Sequence, residues 1–144
     1  MGIGYQAAHL LCKYYKDNRI SSSNAKCIML GRFTMRSLCQ NQIKIINSRF
    51  PHIAIDSLSG YAENFFKNIG FTVIDSLDLT DFEGANKLYN LSIPLSTQNS
   101  NSIENKYDAI FDFGTSEHVF SISSSIKNSL FMLKNGGELI MSLP

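Results

Sequence analysis

The amino-acid sequence predicts an α/β protein with a doubly wound, mostly parallel sheet and helices on both faces. The first observation is that short apolar runs alternate along the chain with segments whose apolar residues recur at helical spacing. The second is that these runs are continuously apolar, which is typical of parallel strands buried on both faces. In such sheets a ligand lies outside the carboxyl ends of the strands, where the strand order reverses.

The N-terminal part of the chain predicts a helix, a short strand and a second helix. Apolar residues recur at helical spacing at Ala8, Leu11, Cys12 and Tyr15. The run CIML, which Gly31 ends, is too short for a helix and is bounded by turn residues, so it predicts a buried strand. The segment MRSLCQNQIKIINSRF then predicts a second helix that closes at Pro51.

The middle of the chain predicts a third helix, two strands and a loop. SGYAENFFKNIG has a hydroxyl cap at Ser59 and a final glycine at Gly70, which is typical of a short helix. FTVIDSLD, which ends on Asp78, predicts the second strand, and NKLYNL predicts the third. The polar stretch STQNSNSIENK predicts an exposed loop, either a lid or solvent-exposed slack, and we favour slack.

The C-terminal part predicts two more strands and a helix between them. YDAIFD predicts the fourth strand, ISSSIKNSLFMLK the fourth helix, NGG a turn and ELIMSL the fifth strand. Directly after Asp112 the chain changes character, and glycine, two hydroxyls, a glutamate and a histidine follow within a few residues. Two interpretations remain open, a capped turn between strand and helix or a ligand site.

Composition limits the class of protein. The 144 residues, 44% hydrophobic and 17% charged, predict a single globular domain over residues 1–144. A formal net charge of +1 argues against nucleic-acid binding and favours a small-molecule ligand. The chain has neither a signal-peptide apolar region nor a run of 18 apolar residues, so we expect no membrane association and a cytoplasmic location.

The cysteines predict reduced thiols. Cys12, Cys27 and Cys39 are odd in number and never form a CxxC pair, so their spacing supports neither a disulfide framework nor a zinc site. Cys27 lies in an apolar run, and we expect it to be a small core residue. We expect no metal site.

The predicted strand ends carry the residues best suited to ligand binding. Gly31, Asp78, Asn90 and Asp112 each lie at or just after the end of one of the first four strands. A glycine allows close approach of the backbone, and an acid accepts hydrogen bonds from a ribose diol. Together they suit a nucleoside-bearing cofactor, although each alone is equally explained by a turn or a cap.

Missing motifs exclude several classes of enzyme. The sequence LGRF contains one glycine, so the GxGxxG fingerprint of dinucleotide-binding enzymes is absent. No GxxxxGK[ST] loop and no GxSxG occur, which argues against triphosphate binding and against a serine hydrolase. DFG copies a kinase tripeptide, but the catalytic loop and glycine-rich loop of kinases are missing, so we treat it as coincidence.

Three stretches carry a resemblance to a known family. FTVIDSLDLTDFEGANKLYNLSIPL, KYDAIFDFGTSEHVF and LKNGGELIMSLP resemble the class I S-adenosylmethionine-dependent methyltransferases, whose sheet is Rossmann-like. The resemblance is closest to a small bacterial type of unassigned substrate in which an LGR loop replaces the glycine-rich first motif. It runs from Cys27 to Pro144.

The resemblance implies a role for each candidate residue. Gly31 and Arg32 would lie beside the methionine part of S-adenosylmethionine, and Asp78 would bind the ribose hydroxyls. Asn90 would lie near the adenine. Asp112 and Gly114 would line the floor beside the sulfonium, and Glu117 and His118 would open the helix after the fourth strand, facing cofactor and substrate.

The implied reaction is methyl transfer to a small-molecule or sugar-like acceptor, with alignment of the reactants as the main contribution of the enzyme. His118 is the candidate base because an imidazole can exchange a proton near neutral pH. The alternative for His118 is a backbone hydrogen bond at a helix start. The alternative for Glu117 is a favourable interaction with the helix dipole.

Two departures from the family qualify this expectation. LGRF lacks the usual acid and glycines of the first motif, and the chain stops at Pro144, just after the fifth predicted strand. We therefore expect a C-terminally truncated domain lacking the last strands, either a fragment or a shortened relative that self-associates through its exposed sheet edge. The alternative function is a non-catalytic domain that binds a nucleoside ligand or a partner subunit.

Overall fold

A computed structural model describes residues 2–16, 23–35, 38–53, 55 and 60–142. Its element order matches the predicted alternation of helices and strands. The elements are α1 (Tyr5–Tyr15), β1 (Lys26–Leu30), α2 (Gln40–Arg49), α3 (Glu63–Asn68), β2 (Val73–Asp78), β3 (Lys87–Leu88), β4 (Tyr107–Asp112), α4 (Ile122–Met132) and β5 (Leu133–Met141). Short 3-10 turns occur at Leu95–Thr97, Asn101–Ile103 and Ser116–His118. No helix within the described residues is long and apolar enough to cross a membrane.

The chain divides into two compact units. The first contains residues 1–25 and 33–74, and the second contains residues 26–32 and 75–144. Helices α1, α2 and α3 belong to the first unit. The second unit holds α4 and the sheet, apart from the first two residues of β2. The single domain that composition predicts stays a prediction.

The sheet has five parallel strands in the order β3-β2-β1-β4-β5. Residue Leu30 of β1 pairs with Asp112 of β4, and Asp78 of β2 pairs with Leu88 of β3. From β1 the chain adds strands outward in one direction through β3 and then returns to the other side of β1 with β4. The strand order therefore reverses between β1 and β4, where a doubly wound sheet opens a crevice at its carboxyl edge. This topology confirms the predicted α/β class and parallel sheet.

The core of the second unit explains why the strands read as continuous apolar runs. Ile28, Leu30, Leu77 and Ile110 are at most 1% exposed and pack in one cluster with Tyr107. Cys27 is also fully buried, as expected of a small core residue. Every position along β1 after Lys26 is buried, as the apolar run CIML predicts.

Within the first unit, α1 buries the apolar positions that its spacing predicted. Ala8, Leu11, Cys12 and Tyr15 are buried. The ring of Tyr15 packs edge-on against Phe71, with ring centroids 5.6 Å apart. Helix α3 is capped by Ala62, and Gly70 follows it with φ of 116°. The predicted hydroxyl cap Ser59 lies outside the described residues.

Most of the loop predicted over STQNSNSIENK is exposed, but Ser100 and Ile103 within it are buried. Leu95 and Ile103 are fully buried, and Ser100 Oγ donates to Leu95 O at 2.5 Å. Gln98 accepts a hydrogen bond from Asn90 N at 2.9 Å and donates to Asn90 O at 2.7 Å. The stretch is thus largely exposed, as predicted. It is not simply slack, because Ile103 within it and Leu95 just before it anchor the loop without showing any periodicity.

The last strand also begins earlier than predicted. Strand β5 starts at Leu133, so the expected NGG turn lies within it, and α4 ends at Met132. Tyr107 pairs with Leu133 whereas Ala109 pairs with Glu138, so the register shifts between these pairs. A Cβ on Gly137 would lie 3.1 Å from Tyr107 O, so glycine permits this close approach.

A buried polar network links β2 to β4. Asp75 Oδ2 accepts hydrogen bonds from the Tyr107 hydroxyl at 2.6 Å and from Lys106 Nζ at 3.0 Å. Asp75 Oδ1 accepts from Asn86 Nδ2 at 2.9 Å. Burial by itself raises the pKa of the Asp75 carboxyl, but these hydrogen bonds and the Lys106 charge lower that pKa below its ordinary value of 3.8.

Candidate functional site

A cleft of about 190 Å³ lies at the carboxyl edge of the sheet, within the second unit. One wall follows β2 and β3, and the other follows β4. The lining residues are Leu77, Asp78, Leu79, Tyr89, Asn90, Leu91, Ser92, Thr115, His118 and Val119. Three of these, Asp78, Asn90 and His118, are candidate residues from the sequence. The sheet topology brings them together because parallel strands end at the same edge.

Asp78 is the last residue of β2 and presents a half-buried carboxylate to the cleft. Its Oδ1 accepts a hydrogen bond from the backbone N–H of Leu79 at 2.7 Å, which fixes the orientation of the side chain. Among the described residues none donates to Oδ2. One carboxylate oxygen therefore remains to accept hydrogen bonds from a ligand.

Asn90 follows β3 and is held rigidly in the cleft wall. Its Oδ1 accepts from Ser92 N at 2.8 Å, and Gln98 bonds both its backbone N–H and its carbonyl. In the part of the chain that the structure describes, its Nδ2 has no hydrogen-bond acceptor. The carboxamide nitrogen is thus a donor in the lining of the cleft.

Gly31 does not line the cleft. It is buried, adopts φ of 78°, and donates its backbone N–H to Leu77 O at 2.7 Å. The positive φ explains the glycine, because side chains are strained in that conformation. The Gly31 amide joins the end of β1 to β2, so it is already used within the protein.

Arg32 reaches the loop between β2 and β3. Its Nη1 donates to Glu83 O at 2.9 Å, and a Cβ on Gly84 would lie 2.7 Å from that same nitrogen. Gly84 therefore makes room for the guanidinium. The geometry assigns Arg32 to bracing the loop that follows Asp78, away from the lining of the cleft.

Asp112 is fully buried at the end of β4 and caps the next turn. Its Oδ1 accepts hydrogen bonds from Thr115 N at 2.8 Å and Ser116 N at 3.3 Å. Gly114 has φ of 110° and permits this tight turn. Of the two interpretations of this segment, the capped turn accounts for the carboxylate of Asp112, which does not reach the cleft.

Glu117 and His118 lie side by side at the mouth of the cleft. His118 Nε2 lies 3.3 Å from Glu117 Oε1, and the His118 side chain is 77% exposed. Both residues lie in a 3-10 turn, and α4 begins at Ile122 with Ser121 as its cap. The expectation that they open the helix after β4 is corrected accordingly. An exposed imidazole beside a carboxylate is suited to accept a proton.

Sequence reasoning missed several residues of the cleft. Tyr89, Leu91, Ser92 and Val119 line it, together with Thr115, whose hydroxyl donates to Leu30 O. All of them except Val119 lie within four residues of a strand end, and that position is the signal that could have found them. In the described part of the chain, no group of three or more metal-ligating side chains is present.

Comparison of the chain with known protein families, with curated proteins and with solved structures finds no match. A function can therefore be inferred only from the cleft itself. The cleft offers a carboxylate acceptor, a carboxamide donor and an imidazole with a carboxylate partner, set among apolar side chains. Such a set can bind a polar, partly apolar small molecule and can accept a proton from it.

Proposed function

We propose that the protein binds S-adenosylmethionine in this cleft and transfers its methyl group to a small-molecule or sugar-like acceptor. The observation that carries the proposal is the convergence of Asp78, Asn90 and His118 from the ends of β2, β3 and β4. The strand order supports it, because the crevice of a doubly wound sheet lies beside the reversal between β1 and β4. The proposed fold is a Rossmann-like methyltransferase domain with helices on both faces of the sheet.

The residues present fit the nucleoside part of this cofactor. Asp78 has a carboxylate oxygen for the ribose hydroxyls, and Leu77, Leu91 and Val119 supply apolar walls for a flat base. The cleft, at about 190 Å³, is smaller than the roughly 300–1,000 Å³ of typical small-molecule sites. We infer that it holds the nucleoside and that the rest of the ligand extends toward the open side, where His118 lies.

When bound, S-adenosylmethionine supplies an electrophilic methyl group on a sulfonium. The protein's own residues bind and orient the ligand and accept a proton. Asp78 accepts hydrogen bonds from the ribose, and the Nδ2 of Asn90 donates to the base. His118 removes a proton from an acceptor hydroxyl or amine, and Glu117 stabilises the resulting imidazolium at 3.3 Å.

A second candidate function is nucleoside binding without catalysis. Its support is that Asp112 and the Gly31 amide are both engaged within the protein, so neither contributes to a ligand contact beside the sulfonium. In this case the exposed sheet edge at β5 would serve a partner subunit or a second copy of the chain. Under both proposals the protein acts in the cytoplasm.

Calorimetric titration with S-adenosylmethionine and S-adenosylhomocysteine tests the binding proposal. We expect the Asp78→Asn variant to weaken both ligands by about tenfold or more, because it removes a charged acceptor for the ribose. Asp81→Asn is the matched control, since Asp81 is an exposed acid in the same loop that lies outside the cleft lining. Its affinity for both ligands should equal that of the wild type.

Three results would count against the proposal in different ways. If the folded wild type binds neither ligand, the cofactor assignment fails. If Asp78→Asn binds both ligands as tightly as the wild type does, the ribose assignment fails but the cofactor assignment still stands. If S-adenosylmethionine binds but a radiolabelled methyl group never reaches any small-molecule acceptor in a broad panel, the non-catalytic alternative is favoured.

A further inference from the structure

Helix α4 buries polar side chains where an amphipathic helix ordinarily buries apolar ones. Its buried residues are Ser125, Asn128, Ser129 and Met132. Ile122, Ile126 and Leu130 of the same helix are exposed. Burying a hydroxyl or a carboxamide is unfavourable unless it is hydrogen-bonded, so the partners of these groups indicate what the polar face does.

Asn128 uses its carboxamide to hold the segment that follows β3. Its Nδ2 donates to Leu91 O at 3.0 Å and to Ile93 O at 2.8 Å. Its Oδ1 accepts from Leu95 N at 2.9 Å. Both Nδ2 hydrogens are thereby used, and the side chain is only 3% exposed. One residue of α4 therefore fixes the backbone on which Leu91 and Ser92 line the cleft.

Ser125 holds the opposite wall. Its hydroxyl lies 2.6 Å from the hydroxyl of Ser116, and both residues are fully buried. Ser116 lies between two cleft residues, Thr115 and His118, and its carbonyl accepts from the backbone N–H of Val119 at 3.2 Å. Ser125 and Asn128 are three residues apart on one helix, so they lie on the same face.

From this geometry we propose that Asn128 and Ser125 are positioning residues that set the separation of the two cleft walls. Neither residue lines the cleft. Asn128 acts through the backbone of the segment that carries Leu91 and Ser92, and Ser125 acts through Ser116, which adjoins the cleft residue Thr115. The inference rests on the proposed function, because it assigns these side chains to the nucleoside cleft. It extends that function by making the polar face of α4 a determinant of ligand affinity.

The test compares Asn128→Ala with Ser129→Ala in the full chain. Ser129 is a fair control, since it is also a fully buried polar residue of α4, yet its hydroxyl donates only to Ser125 O within the helix, at 3.0 Å. Two quantities are measured: the Kd for S-adenosylhomocysteine, and amide hydrogen exchange of residues 91–98 in the ligand-free protein. Working well below the unfolding temperature of each variant separates affinity from global stability.

We expect Asn128→Ala to weaken S-adenosylhomocysteine binding by about tenfold, because three backbone groups lose their partner and the wall moves. Exchange should rise in residues 91–98 while β1 and β4 stay protected. Ser129→Ala should change neither the Kd nor the exchange of that segment. A merely structural role would lower stability without changing the Kd or producing this local exchange pattern.

Ser125→Ala provides the second test if Asn128→Ala does not fold. It should raise exchange around Ser116 and weaken the ligand, with residues 91–98 unchanged. If the wild type binds S-adenosylhomocysteine and both variants bind it equally well, the positioning role is overturned and the proposed function stands. If the wild type binds no S-adenosylhomocysteine, the proposed function fails, and the ligand role of Asn128 and Ser125 falls with it.

Discussion

Asp112 illustrates how a single carboxylate has two chemically sensible roles that only its surroundings distinguish. An acid at the end of a central parallel strand is well placed for a cationic ligand. The same acid can cap the following turn, and here its oxygens accept hydrogen bonds from Thr115 N and Ser116 N. A buried carboxylate is stabilised by such backbone donors, so capping fully accounts for its burial.

Substitutions at Asp112 separate the capping role from a charge role. Asp112→Asn keeps an oxygen acceptor for the Thr115 amide, so we expect little change in ligand affinity and a small loss of stability. Asp112→Ala leaves buried backbone donors unpaired and should cost about 1–3 kcal/mol of unfolding free energy. Urea denaturation and calorimetry measure both effects. If Asp112→Asn weakens S-adenosylmethionine but not S-adenosylhomocysteine, the charge itself serves the sulfonium and capping is not the whole role.

The three cysteines lie in or beside different elements and differ in how deeply they are buried. Burial raises the pKa of Cys12 in α1 to about 12. Burial, and then the charges of Asp75 and Asp108, raise the pKa of Cys27 in β1 above its ordinary value. Cys39, which precedes α2, is exposed. Only a thiolate reacts with an alkylating agent, so these elements should protect their thiols.

Alkylation of the native protein with iodoacetamide at pH 8 should modify Cys39 and leave Cys12 and Cys27 unmodified. In urea all three cysteines should react. Peptide mass spectrometry after a fixed labelling time identifies each site. Rapid modification of Cys27 under native conditions would contradict the buried position of β1.

The strand order of the sheet and a buried polar network bring together residues that are distant in sequence. Asp75 lies in β2 and Tyr107 in β4, and their hydrogen bond at 2.6 Å joins segments 32 residues apart. Burial and then the hydrogen bond to Asp75 raise the pKa of the Tyr107 hydroxyl above its ordinary value of 10.0. The network therefore makes the stability of the protein depend on pH at both ends of the scale.

We expect stability to fall below about pH 4 and above about pH 10, with opposite causes. The pKa of Asp75 is lower in the folded state, so its contribution is present above 3.8 and is lost as the pH falls toward the folded-state pKa. The pKa of Tyr107 is raised, so the unfolded state alone loses this proton above 10.0, and that favours unfolding.

Tyr107→Phe tests this network. It should lower the unfolding free energy at pH 7 by about 1–3 kcal/mol, because Asp75 loses a buried donor. The variant should also lose less stability than the wild type when the pH falls below about 4 or rises above about 10. Tyr5→Phe is the control, since Tyr5 lies in α1 and does not take part in this network. Equal pH profiles for wild type and Tyr107→Phe would show that the network does not govern the pH dependence.

The local features of this protein follow from the order of its amino acids alone. Spacing identified the buried positions of α1, and short apolar runs identified β1 and β4, because helix periodicity and burial act on neighbouring residues. The β-branched and apolar residues that lead to Asp78 identified β2. The sequence also marked Asp78 and Asn90 as residues at strand ends, and the family resemblance marked His118. It could not show that Leu95 and Ile103 anchor a polar loop, since their partners are distant in sequence.

Which candidate residues meet in one cleft depends on how the strands pair. Hydrogen-bonded strand order places Asp78, Asn90 and His118 together, although 40 residues separate the first from the last. Tertiary packing also gives the Gly31 amide, Arg32 and Asp112 hydrogen-bond partners within the protein. The physical reason is that a buried polar group must find a hydrogen-bond partner, and which partner lies within reach depends on how distant segments pack.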